Sequence, residues 1–521
     1  MVRSAARPLP WHFLIPAFLV GAGVLLPMVY LLLRALQADP ATLQEIVLRW
    51  RNLQLLGNTL GLMLGVVLAC TLLALPLAWL TARSTLRGKR ALSLLLTLPL
   101  VVPGYVGAFA LLGATGPNGL LETLFGVNWP RPSGYWGALG VLTLFIYPYL
   151  FLNLRAALMG LDPSLEESAR SLGYRPPQVF VKVVLPQLRP ALYAGWLLTG
   201  LHVLGDFGVV SLMRFETFSY AIYIQYSASF DRIYAAWLSL MLVVLALSLL
   251  GLEARALRGL SLSRVGQGSA RRQTQTRLGL WTLPAYGLTL VPLVGSLLIP
   301  LLAVVYWTVG VAAQQTEIDD VIQALLNSLR ASAPAAIVAA ALALPLAYLG
   351  VRYPSRLSRA LERTAYLGYA VPPLAFALAL IFFSLRGLPF LYQTLGLLVM
   401  AYALYFLAEA IGPIRSSLYQ APPRLEEAAR GLGYPPAQAF LRATFPLLRR
   451  GLLSGMALVF LSSVKELPLT FLLAPVGYDT LATRIWSYTS EAQYAEAAPY
   501  ALLIVLFSAC FVGLLLTQER R

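Results

Sequence analysis

Four ionisable residues interrupt the long apolar runs of this chain: Asp206, Glu409, Lys465 and Glu466. A charge inside a bilayer is costly, and such residues usually face a cavity or a partner. Asp206 and Glu466 lie 260 positions apart, the displacement that lays a longer charged stretch onto its own copy. This spacing predicts a pseudo-symmetric pair of carboxylates flanking a central pathway. The plainer alternative is a structural ion pair between Lys465 and its neighbour Glu466. Other site chemistry is sparse. Two histidines and two cysteines, Cys70 and Cys510 in apolar runs, make neither a metal cluster nor a disulfide framework. No Gly-x-x-x-x-Gly-Lys-Ser/Thr sequence occurs, so the chain itself is not expected to bind ATP or to be an enzyme.

The charged stretch at 164–190 reads Ser-Leu-Glu-Glu-Ser-Ala-Arg-Ser-Leu-Gly-Tyr, followed by Pro176-Pro177, Phe180 and Leu185-Pro186. Its copy at 424–450 reads Arg-Leu-Glu-Glu-Ala-Ala-Arg-Gly-Leu-Gly-Tyr, followed by Pro435-Pro436, Phe440 and Phe445-Pro446. Of the 24 residues from 166 to 189, 13 are identical in the copy. Two polar segments of fixed spacing in an apolar chain imply two copies of a polar partner, and repetition fixes the architecture. Each copy predicts a short amphipathic helix. Ser164 and Glu167 suit an N-terminal capping box, and Gly173 a left-handed C-cap. Pro176 and Pro186 are expected to break the chain into a second short element, giving a helix–turn–helix knuckle.

The elements that must carry these residues are membrane spans. The chain is 59% hydrophobic and only 12% charged, against about 25% charged in soluble domains. Its apolar runs approach the ~20 residues that cross a bilayer as helix. They lie at about 11–33, 57–82, 91–113, 134–160, 190–212 and 235–252, then at 280–310, 326–351, 361–385, 394–418, 451–474 and 497–517. The expected fold is therefore an all-α polytopic membrane protein of twelve transmembrane helices. Residues 1–252 form one six-span repeat, 253–279 a polar linker and 280–521 the second repeat. The first run is long and lacks a convincing cleavage site, so it reads as an uncleaved span. Leu-Ala-Leu-Pro-Leu-Ala-Trp-Leu at 73–80 returns as Leu-Ala-Leu-Pro-Leu-Ala-Tyr-Leu at 342–349. Val102-Pro103 returns as Val371-Pro372, and Asn58-Thr59-Leu60 as Asn327-Ser328-Leu329, all displaced by 269. An even number of spans per repeat makes the repeats parallel, related by an axis along the membrane normal. With both termini in the cytoplasm, most of the 39 Lys and Arg fall on the cytoplasmic side, as the positive-inside rule requires. That topology accounts for the net charge of +17 without nucleic acid, and it puts both knuckles in the cytoplasm.

Glu-Glu-Ala-Ala-Arg-Gly-Leu-Gly with a downstream Phe-Pro or Leu-Pro resembles the coupling loop of ABC importer permeases, and the resemblance covers essentially the whole chain. One departure is Ser168, where the second copy has Ala428. The resemblance implies a type I ABC importer fold and a bacterial inner membrane. It also implies two copies of an ATPase subunit holding ATP and Mg, and a periplasmic substrate-binding protein. The coupling residues it implies are Glu166, Glu167, Ala169, Gly173 and Pro186, with Glu426, Glu427, Ala429, Gly433 and Pro446 in the copy. Of these, Glu167, Ala169, Gly173, Glu427, Ala429 and Gly433 are expected to face the ATPases.

The stretches Lys465-Glu466-Leu467-Pro468-Leu469-Thr470 and Asp206-Phe207-Gly208-Val209-Val210-Ser211-Leu212 further resemble fused iron(III) permeases. Ferric ion is hard and prefers oxygen, which Asp206 and Glu466 would offer transiently, with no resolved metal site. Thiamine and phosphonate-type permeases share the architecture. A twelve-span secondary transporter driven by an ion gradient shares the span count but has no use for paired knuckles.

Overall fold

The structure, a computed structural model, describes residues 11–37, 49–229, 231–257, 275–311 and 318–519. The described residues are helical apart from turns and one isolated parallel bridge between Ser84 and Thr276. In the first repeat α1 spans Trp11–Ala35 and α2 Trp50–Arg83. The next span is broken into α3 (Lys89–Leu95), a 3-10 turn and α4 (Gly104–Ala114). Then come α5 (Gly134–Gly160), α6 (Pro163–Ser171), α7 (Leu185–Gly205), α8 (Gly208–Leu212), α9 (Phe218–Ser227) and α10 (Arg232–Ala256). In the second repeat α11 (Thr282–Leu293) runs through a π-turn into α12 (Ile299–Val311), and α13 spans Ile318–Arg352. There follow α14 (Arg356–Ala370), α15 (Pro373–Gly387), α16 (Leu395–Tyr405), α17 (Leu407–Gln420) and α18 (Pro423–Gly431). The chain ends with α19 (Phe445–Val464), α20 (Pro468–Leu473), α21 (Leu481–Ser490) and α22 (Tyr494–Glu519).

Among the described residues eight helices are long and apolar enough to cross a membrane, or eleven if each of three bent pairs counts as one span. The fifth expected span falls on α7, whose Gln187, Arg189 and His202 dilute its apolar run. The fifth and eleventh expected spans are displaced toward the N-terminus: the helix runs through a π-turn from 176 to 205 and from 436 to 464, and the chain then turns into α8 and α20. The first repeat's last helix continues to Ala256, inside the expected linker, most of which (258–274) lies outside the described residues.

The repeated short motifs now have structural reasons. Val102-Pro103 and Val371-Pro372 sit at breaks where the helix axis turns by 95° and 108°. A residue before proline is pushed out of the α region, and Val102 and Val371 are extended, with ψ of 120° and 131°. Thr59 and Ser328 close off later helices: the Phe218 amide donates to Thr59 Oγ1 at 3.1 Å and the Leu481 amide to Ser328 Oγ at 3.0 Å. Their neighbours Asn58 and Asn327 donate to the carbonyls of Glu216 and Asp479, each at 2.9 Å.

The halves interlock. Helix α1 packs on α13, α14 and α15 of the other repeat, and α12 packs on α4 and α22. Trp307 Nε1 donates to the Gly113 carbonyl at 2.9 Å across this junction. Where α8 meets α21, Trp486 Nε1 donates to Ser211 Oγ at 2.9 Å. There Phe207 and Tyr223 from one repeat enclose Phe471 and Trp486 from the other, with ring centroids 4.7–6.2 Å apart.

Candidate functional site

The helix breaks converge on one central cavity of about 280 Å³ between the repeats. All four ionisable residues singled out in the sequence line it: Asp206, Glu409, Lys465 and Glu466. Asp206 Oδ1 accepts from the Val209 and Val210 amides at 3.0 and 3.2 Å, capping α8. Glu466 Oε1 accepts from the Leu469 amide at 3.2 Å, in the same relation to α20. Glu409 accepts from Ser462 at 2.8 Å. Lys465 makes no ion pair among the described residues; its Nζ donates instead to the Leu100 carbonyl of the other repeat at 3.3 Å. Tyr105 returns the link, its hydroxyl donating to the Lys465 carbonyl at 3.2 Å. The local ion pair between Lys465 and Glu466 is therefore not formed.

The cavity also gathers residues that the sequence reading passed over: His202, Tyr149, Tyr369 and Tyr405 line it with Tyr105. The signal was present, since Tyr149 and Glu409 are equivalent at the 260 displacement, as are His202 and Ser462. Among the described residues no three His, Cys, Asp or Glu side chains come together in a metal-binding arrangement. What the lining offers is carboxylate and phenol oxygen from both repeats.

The second site is the pair of knuckles. Gly173 and Gly433 have φ of +86° and +87°, the left-handed conformation that glycine adopts without strain. The Tyr174 amide donates to the Ala169 carbonyl at 3.2 Å and the Gly173 amide to the Arg170 carbonyl at 3.0 Å. Tyr434 and Gly433 repeat this on Ala429 and Arg430, so both helices end in a Schellman motif. The N-terminal cap differs from expectation. Helix α6 begins at Pro163, and Asp162 is its cap, accepting from the Ser164 amide at 3.0 Å. Pro186 and Pro446 do not break the chain either. A π-turn, Phe180–Val184 or Phe440–Thr444, precedes each proline and lets the helix carry on. Widening the helix there relieves the clash of the proline ring with the preceding turn.

The knuckle residues divide into two faces. Glu167, Gly173, Glu427 and Gly433 are exposed, Ala429 and Pro186 half-buried and Pro446 exposed. Ala169 is only 6% exposed and packs inward, so the expectation that it faces a partner is corrected. Glu426, 6% exposed, also points inward: it accepts from Tyr348 at 2.9 and 3.1 Å and from Thr444 at 3.1 Å. Arg430 reaches it at 2.8 Å. Partial burial alone would lower the Arg430 guanidinium, but the Glu426 charge outweighs it and the net shift is upward. Glu166 pairs with Arg83 at the end of α2, 3.1 Å away, and more loosely with Arg170 at 3.9 Å. The first glutamate of each pair thus clamps its knuckle to the second span, and the second stands exposed.

Two interlocked helical halves, a cavity between them lined by four ionisable residues and a duplicated charged knuckle define a polytopic helical membrane protein of the transport class. The chain belongs to the family of binding-protein-dependent transport system inner membrane components, whose pattern matches residues 74–259 and again 332–521. It is 34% identical over 512 residues, 98% of each chain, to the Fe(3+)-transport system permease protein FbpB 2 of Haemophilus influenzae. It is 24% identical over 88% of its length and 70% of the relative's to the ferric transport system permease protein FbpB of Actinobacillus pleuropneumoniae. A further relative, the molybdenum transport system permease protein ModB of Mycobacterium tuberculosis, is 36% identical over 36% of this chain and 73% of its own.

Proposed function

We propose that this chain is the membrane-spanning permease of an ATP-driven importer that receives ferric iron from a periplasmic binding protein. The observation that carries the reading is the cavity, where Asp206, Glu409 and Glu466 meet four tyrosines from both halves. This is a hard-oxygen lining suited to a hard cation in transit. The names of the two long relatives point to the same cargo. The exposed faces of the knuckles, Glu167 with Gly173 and Glu427 with Gly433, dock on two ATPase subunits, where ATP and Mg are held. Their closure draws on the two knuckles and rocks the halves, so the cavity opens alternately to either side of a bacterial inner membrane, with both termini cytoplasmic. Partner and nucleotide act by binding one arrangement of the halves better than the other, which any such coupling requires.

The test is uptake of labelled ferric iron into iron-starved cells lacking the chain, with and without its restoration, with thiamine and molybdate in parallel. Iron uptake that returns only with the chain is expected. Rescue of thiamine or molybdate instead would keep the architecture and replace the cargo. Depleting ATP while holding the ion gradient should stop uptake; continued uptake would favour a gradient-driven carrier.

A further inference from the structure

Lys465 is the one lysine or arginine among the residues lining the central cavity. A lysine set among three carboxylates would ordinarily close an ion pair with one of them. Here the carboxylates are oriented by other groups: Asp206 and Glu466 accept from backbone amides, and Glu409 accepts from Ser462. The ammonium is drawn the other way, to the Leu100 carbonyl at 3.3 Å, beside the break in the third span. Tyr105, just past the same break, fixes the lysine's backbone by donating to its carbonyl at 3.2 Å. Lys465 is thus held off the carboxylates, yet it stays near enough to Glu409 for each to feel the other's charge.

The first repeat has no counterpart. Position 205, equivalent to 465, is glycine, and a Cβ there would lie 3.0 Å from Cδ of Pro373, closer than ordinary contact. The cavity therefore carries this positive charge once, among carboxylates contributed by both halves. A cavity lined by carboxylates alone would hold a multivalent cation too well. Passage needs binding strong enough to admit an ion and weak enough to let it leave. A fixed ammonium supplies the second condition. A unit positive charge roughly 8 Å from a trivalent ion weakens its binding about tenfold even at the dielectric constant of water, and more in a protein interior. Tying the ammonium to Leu100 leaves the carboxylate oxygens open to the ion while its charge still acts on it.

We propose that Lys465 is the residue that lets the cargo go: its single positive charge, set against the carboxylates of the cavity, keeps a transit site from becoming a cation trap. This rests on the cavity being the path of a metal cation. Removing the charge should make the chain bind such an ion better and move it more slowly.

The probe is Tb³⁺, a hard trivalent ion whose emission is sensitised by nearby tyrosines; Tyr105, Tyr149, Tyr369 and Tyr405 line the cavity. The full-length chain, assembled with its ATPase in nanodiscs of zwitterionic lipid, is titrated without nucleotide. Only the emission that Asp206→Asn with Glu466→Gln abolishes is counted. Lys465→Met is expected to tighten Tb³⁺ binding at least about tenfold. Mn²⁺, read by competition, should gain roughly two-thirds as much on a logarithmic scale, because the repulsion scales with valence. Lys465→Arg keeps the charge and should bind Tb³⁺ nearly as the natural chain does. Ferric uptake by cells carrying Lys465→Met should fall several-fold, whereas damage to the fold would lower binding and uptake together. Unchanged Tb³⁺ affinity in Lys465→Met overturns the proposal, since the ion then meets no charge on the lysine. Equal gains for Tb³⁺ and Mn²⁺ overturn it too, by making the lost tie to Leu100 the cause. So does undiminished uptake alongside tighter binding. Absence of saturable Tb³⁺ emission from both chains would overturn the cation reading of the cavity itself, and this proposal with it.

Discussion

Asp206 and Glu466 occupy equivalent positions in the two repeats, and each caps the short helix that follows it while facing the central cavity. A cap needs only an oxygen, which an amide keeps; Asn caps about as well as Asp. Transit of a cation needs the charge. Asp206→Asn with Glu466→Gln should therefore leave the amount of protein in the membrane nearly unchanged and lower ferric uptake by at least about tenfold, since 1.4 kcal/mol of lost stabilisation in transit suffices. Uptake at the natural rate would show that the carboxylates serve the helix ends alone.

Much of this arrangement was legible in the chain. The displacement of 260 paired Asp206 with Glu466, and charges stranded in apolar runs pointed to a cavity, because nothing in lipid could hold them. The glycine caps were legible because left-handed backbone selects glycine locally. What escaped notice rests on distance. Arg83 meets Glu166 across 83 positions, and no periodicity links the end of one span to a knuckle two spans later. Pro186 leaves the helix intact because a π-turn upstream, invisible in composition, absorbs it. Ser164 resembled a cap, but Pro163 prefers the first helical position and hands the cap to Asp162.

Gly173→Asp together with Gly433→Asp should abolish uptake while leaving the chain in the membrane. Open space surrounds both Cα positions, so no clash arises; the strain is in the backbone, at φ of +86° and +87°. A side chain there costs about 1–2 kcal/mol at each site and reorients the Schellman turn that aims the exposed face. Uptake and membrane abundance, measured in the same cells, check this. Normal uptake by the double variant would remove the knuckles from the transport mechanism.

Tyr105→Phe tests the link across the cavity. The substitution removes the hydroxyl that donates to the Lys465 carbonyl, at little cost in volume. A lost hydrogen bond of this kind is worth about 1 kcal/mol, or roughly fivefold in an equilibrium between arrangements of the halves. The expected result is a several-fold change in the basal ATP hydrolysis of the assembled transporter without binding protein, with little change in melting temperature. An unaltered basal rate would mean that this contact does not distinguish the two arrangements.

Glu166→Gln and Glu426→Gln should differ in cost although the residues are equivalent in sequence. Glu426 is held chiefly by Tyr348 and Thr444, whose hydroxyls can still donate to an amide oxygen, and its cation, Arg430, is half in solvent. Neutralising it should cost about 1 kcal/mol. Glu166 instead offsets Arg83, whose side chain is only 5% exposed and whose remaining tie is a 3.0 Å hydrogen bond from Nε to the Leu158 carbonyl. Neutralising Glu166 leaves a buried guanidinium uncompensated, a situation that typically costs about 3–5 kcal/mol. Thermal melts of the two purified variants in one detergent should therefore rank Glu166→Gln well below Glu426→Gln. Adding Arg83→Met to Glu166→Gln should recover most of the loss, because it removes the stranded charge. Equal melting temperatures for the two single variants would mean that water reaches Arg83 and that the first knuckle is held by its apolar contacts instead.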